Sequence, residues 1–199
     1  GFQNVLTKQQ WLTLLDFVKA VGGKLLISFA NCPGIHAADE PMPFEQAKLL
    51  FETSKEYGVP ISAAEFTNEP NLIALSGLPK GYTPADHARD HDLFGAWLKE
   101  NYPECLYVGP STTGGDKVSF GKPVGGVEQL ARESASCDEL MNGLEVPVDV
   151  FSYHYYNGLS DRLASVMPAG HWDPSEANSF QQDEQPQLSQ QACLLSLQY

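Results

Sequence analysis

The chain has 199 residues, 42% hydrophobic and 19% charged, which is enough for one globular domain with a buried core. Its 12 basic residues stand against 25 acidic ones, a net charge of −13, so repulsion from phosphate excludes nucleic acid as a partner and disfavours a heavily sulfated glycan. No apolar run approaches the ~20 residues that a membrane-spanning helix needs.

In chain order, Trp11, Leu14, Leu15 and Val18 recur at helical spacing and predict a first helix that closes at Gly22 and Gly23. Residues 24–29 read as a buried strand that runs toward Asn31. Phe44, Ala47, Leu50, Phe51 and Ser54 predict a second helix, stopped by Gly58 where a left-handed cap is required. A second strand over 61–66 leads into Asn68-Glu69-Pro70-Asn71. Pro70 cannot donate to a sheet ladder and marks where that strand ends, holding Asn68 and Glu69 in extended or turn geometry.

Thr83 is a helix cap followed by Pro84 in the first turn, and the helix that they open carries Phe94, Trp97 and Leu98 on one face. A third strand is expected over 106–108, then a flexible loop at Gly114 and Gly115, where no Lys-Ser/Thr follows as a phosphate loop would need. A weaker helix is expected over 127–136. The fourth strand, 148–153, ends in His154-Tyr155-Tyr156. This alternation predicts consecutive βα units and a parallel sheet, hence an α/β fold.

In such a sheet the ligand crevice lies outside the carboxyl ends of the strands. Asn68, Glu69, Asn31, His154 and Tyr155 all fall at those ends and are the candidate site residues. Glu65 is the rival carboxylate, four residues before Glu69 and on the same face if the strand stays extended; it reads as an interior carboxylate in a polar network. His87 and His91 have the i, i+4 spacing of a metal pair, but without a third ligand in view they are expected to be surface histidines. Cys32, Cys105, Cys137 and Cys193 show no Cys-x-x-Cys spacing, so neither zinc nor a disulfide is assigned and free thiols are expected. No metal or cofactor is expected.

The strand with Asn68-Glu69-Pro70-Asn71, the strand end His154-Tyr155-Tyr156-Asn157-Gly158 and Gly109-Pro110 between them resemble glycoside hydrolase family 79. That family contains the heparanases and bacterial and fungal β-glucuronidases. The likeness runs from about Leu14 to about Pro174 and makes the chain the middle of a (β/α)8 barrel, about strands three to six with their helices. It implies a retaining glycosidase acting on a β-glucuronide or related glycan, in a secreted or extracellular setting. Glu69 would be the general acid/base on the fourth barrel strand, Asn68 would bond the sugar hydroxyl beside the reacting carbon, and Tyr155 would bond the nucleophile or the sugar. His154 and Asn31 would line the substrate pocket.

A leaving alkoxide needs a proton from a carboxyl kept protonated by burial and by a second carboxylate, which in a retaining pair lies roughly 5–5.5 Å away. The family carries that nucleophile on its seventh strand, in a Trp-x-x-Glu segment, and nothing of that kind follows Tyr156. Residues 1–174 are therefore expected to form a partial barrel domain, and 175–199, rich in glutamine, an unassigned polar tail in which the reading frame could have changed. Both ends read as cut, and the chain alone is expected to lack turnover. The alternatives are a sugar-binding remnant without catalysis, a truncated product with open sheet edges, and another barrel β-glycosidase acting on glucans or xylans.

Overall fold

A computed structural model of the chain describes residues 5–73, 76–113 and 134–154. Gly114, Gly115, Tyr155, Tyr156, Cys193, the expected helix up to residue 133 and the tail 175–199 lie outside the described residues.

Helix α1, Lys8–Ala20, opens on Thr7, whose hydroxyl accepts the Gln10 N–H while the Gln10 side chain accepts the Thr7 N–H. This reciprocal box satisfies two donors that a bare helix start leaves unpaired. Trp11, Leu15 and Val18 are buried, whereas Leu14, at the margin of the apolar arc, is 40% exposed. Strand β1, Leu25–Ser28, follows, then α2, Glu45–Tyr57, which ends at Gly58 with φ 82, a conformation that costs glycine nothing. Strand β2 is Ile61–Glu65 and helix α3 is Pro84–Asn101, the latter opened by a Thr83–Asp86 box. Strand β3, Leu106–Thr113, is longer than the sequence predicts, and β4 is Val150–His154. Of the expected helix over 127–136, the described end is not helical. Ser134 instead bridges Leu72, and Ser136 caps a short helix α4, Cys137–Met141, because its hydroxyl pairs with the Glu139 N–H.

The four strands form one sheet in the order β1-β2-β3-β4, and every adjacent pair is parallel. The helix connections therefore act as crossovers, as the alternation predicts, and all strand carboxyl ends meet at one rim. The chain is α/β, a four-stranded parallel sheet alternating with helices.

The helices pack on the sheet through an aromatic core. The Phe94 ring, fully buried, lies 5.2 Å from that of Phe29, 5.8 Å from Phe66 and 5.7 Å from Tyr107, all between centroids. Gly95 allows this approach: a Cβ there would stand 2.5 Å from Tyr107 Cε1. His87 and His91 also belong to this core, at 1% exposure each, which corrects the expectation of surface histidines. The physical reason is that the face of α3 carrying Phe94 and Leu98 also carries residues 87 and 91, two turns and one turn before Phe94. Among the described residues no helix is long and apolar enough to cross a membrane.

Candidate active site

Past Glu65 the chain leaves the β conformation, and Glu69 has φ 48. Of the extended or turn geometry expected for Glu69, the structure has the turn, so Glu65 and Glu69 do not share a strand face.

Hydrogen bonds fix the turn to the neighbouring strand. The Glu69 N–H donates to the Ser111 carbonyl at 3.0 Å, and the Leu72 N–H and the Ser76 hydroxyl both donate to the Glu69 carbonyl. Asn71, fully buried, acts as a side-chain extension of the sheet: its Nδ2 donates to the Thr113 carbonyl and its Oδ1 accepts the Thr113 N–H, both at 3.0 Å. Held this way, the loop carries the Glu69 carboxyl across the end of β3 to β4. There Glu69 Oε1 lies 2.9 Å from His154 Nδ1, with the side chains 17% and 31% exposed. An ionised Glu69 accepts the Nδ1–H; a protonated one offers its proton to Nδ1.

Beneath this pair lies a second polar group. Glu65 is 8% exposed and accepts a hydrogen bond from the Ser111 hydroxyl, which lies 2.7 Å from the Ser152 hydroxyl. Ser111 has one hydroxyl proton and gives it to Glu65, so Ser152 donates to Ser111. Glu65 is thus a buried carboxylate in a polar network, as expected.

The structure brings Glu69 and His154 into contact and leaves Asn68 exposed beside them. Tyr155 lies outside the described residues. Asn31 is elsewhere engaged, at 1% exposure: its Nδ2 donates to the Tyr82 hydroxyl at 3.0 Å and its Oδ1 faces His36 Nε2 at 2.8 Å. Tyr82 in turn donates to Asp90 at 2.9 Å, and burial, with the Asp90 charge behind it, pushes the Tyr82 hydroxyl far up from its ordinary value. This network closes the β1–α2 connection. Ser111, Ser152 and Asn71 were not singled out by sequence; the signals available were only a serine after Gly109-Pro110 and a second asparagine after Pro70.

His87 and His91 form the opposite kind of site. Their rings lie 5.6 Å apart, and no ring nitrogen of either has a hydrogen-bond partner among the described residues. Burial, helped by the His91 charge, pushes His87 down to about 3; burial alone takes His91 down to about 4. No group of three or more metal-ligating side chains gathers among the described residues.

No protein-family model matches the chain, and no curated protein sequence does. Among solved structures it is similar to one described as "Structure of N2152 from Neocallimastix frontalis", with 15% identity and a TM-score of 0.41. The match covers 79% of this chain and 35% of that one, so the chain spans about a third of that protein's length.

Proposed function

We propose that the chain is part of a retaining glycoside hydrolase of the β-glucuronidase and heparanase type, and that its four βα units are half of a (β/α)8 barrel. One observation carries the reading: a carboxyl at the end of β2 is held against an imidazole at the end of β4, on the rim where parallel α/β sheets bind ligands. A general acid must hold a proton and then release it to the leaving oxygen, and the Glu69–His154 pair can keep that proton between two groups while staying partly open to solvent. Asn68, exposed next to it, would bond a sugar hydroxyl. The net charge of −13 favours a monosaccharide β-glucuronide or lightly charged glycan over a polysulfated one.

A second reading is sugar binding without turnover. It is favoured by the one other carboxylate described at this end of β2, Glu65, being committed to Ser111 deep in the strand layer. The test is titration of an aryl β-glucuronide into the 199-residue chain, with binding and hydrolysis both followed. Hydrolysis that disappears in Glu69→Gln supports the hydrolase and overturns the expectation that the chain alone lacks turnover. Without hydrolysis, binding that weakens at least tenfold in both Asn68→Ala and Glu69→Gln supports the hydrolase rim, and binding that weakens in Asn68→Ala alone supports the second reading. Neither binding nor hydrolysis rejects both.

A further inference from the structure

We infer that Ser111 is a positioning residue for Glu69, acting through its main chain, with its hydroxyl serving as the lock. Three independent features meet at this residue. The register of β3 against β4 slips between Pro110 and Thr112, so Ser111 is the extra residue of a bulge. It has φ 55, one of two described non-glycine residues in the left-handed region, and the other is Glu69. The two are joined directly, the Ser111 carbonyl accepting the Glu69 N–H at 3.0 Å.

A bulge turns one residue out of the regular ladder and re-aims what is attached to it, which is why bulges recur beside active sites. Here the re-aimed group is the Ser111 carbonyl, and the bond that it makes fixes the turn from which the Glu69 side chain reaches His154. A left-handed conformation is costly for any residue with a Cβ and costs glycine nothing. Serine holds it because its hydroxyl, fully buried, is engaged on both sides, donating to Glu65 and accepting from Ser152. Remove the hydroxyl and keep the Cβ, and the conformational cost stands with nothing to offset it. Remove both, and the cost disappears with the lock.

That asymmetry is the test, and it inverts the usual order of side-chain truncation. The probe is the His154 ring in the full 199-residue chain, read by its Nδ1 nitrogen shift and by exchange of the Nδ1–H with water. Glu69→Gln establishes that the signal reports the carboxyl contact. Ser111→Ala is expected to speed Nδ1–H exchange at least tenfold, or to unfold the chain, while Ser111→Gly stays folded with exchange within about twofold of the parent. The ring signals of His87 and His91 report whether the core is intact. A Ser111→Ala chain that keeps the parent signal overturns the inference, as does a Ser111→Gly chain that loses the contact or unfolds. So does a parent signal indifferent to Glu69→Gln. The inference rests on the hydrolase reading only for its consequence in catalysis. The measurement uses no sugar, so a failed clasp and a failed hydrolase assignment give different results.

Discussion

Two histidine sites lie in different parts of this fold, one under helix α3 and one at a strand end. His87 and His91 sit between α3 and the strands, 1% exposed, against Phe66 and Tyr107, with four ring nitrogens that make no hydrogen bond among the described residues. His154 sits at a strand end, 31% exposed, with Nδ1 on a carboxyl oxygen. The first pair uses imidazole as an aromatic filler and bears the cost of burying polar atoms; the second uses it as a proton partner. Burial is thus the wrong guide to function here. On the proposed function, the deeper histidines serve packing and the shallower one serves chemistry.

The largest effect expected from this contrast is acid sensitivity. Burial pushes His87 down to about 3 and His91 down to about 4 in the folded chain, so the unfolded chain binds more protons between about pH 6.5 and those values. Their neutral forms are compatible with folding at neutral pH, and stability is lost as pH falls below about 6.5 toward 4. From pH 7 to pH 5 the loss is on the order of 4 kcal/mol for the pair. Urea unfolding of the parent at both pH values, against a His87→Leu/His91→Phe variant, isolates it, since the carboxylates contribute alike to both proteins. Equal pH slopes in the two would show that the pair is not the source.

Next comes the scaffold of the rim. Asn71→Ala strips the Thr113 N–H and carbonyl of partners inside the protein, at about 1–3 kcal/mol for each orphaned group. Because the same loop carries Glu69, the variant should also disturb the His154 ring signal, whereas the His87 and His91 signals stay put. Loss of stability without a change at His154 would break the link between scaffold and site. A smaller effect is expected at the start of α3. Thr83→Ala removes the cap beneath His87, whose N–H bonds the Thr83 carbonyl, and should cost about 1 kcal/mol. Hydrogen exchange should quicken at the first turn of α3 and not at β4.

The parallel sheet was legible because each element carries a local signature: the Gly58 cap, the Thr83-Pro84 start, and apolar strands between amphipathic helices. The burial of His87 and His91 was legible too, at i−7 and i−3 from Phe94, but histidine was weighed there as a polar residue rather than as a ring. Glu69 and His154 could be named from sequence as strand-end residues. Their contact could not, since it depends on the left-handed turn at Glu69, and a proline at the next position leaves extended and turn geometry both open there. The clasp at Ser111 was beyond reach for the same reason. A bulge is a property of two strands in register, and its one local sign is Pro110, which an inner strand tolerates only at a bulge.

The smallest stability effect and the most informative one belong to His154. With both side chains partly exposed, the contact with Glu69 is screened by solvent, and His154→Phe should change unfolding free energy by less than ~1 kcal/mol. Its effect on ligand should be far larger, because Glu69 then loses the group that holds its carboxyl at the rim: aryl β-glucuronide affinity, or turnover where it is measured, should fall at least tenfold. His154→Asn separates position from bulk, since the asparagine Nδ2 occupies nearly the place of the imidazole Nδ1 and can still donate to Glu69. It should recover part of what phenylalanine loses, at unchanged stability. Titration of the ligand into the three proteins, with urea unfolding run alongside, decides between the two roles. If His154→Phe costs as much stability as Asn71→Ala and leaves the ligand response intact, then His154 is a packing residue like His87 and His91, and the contrast between the two sites collapses.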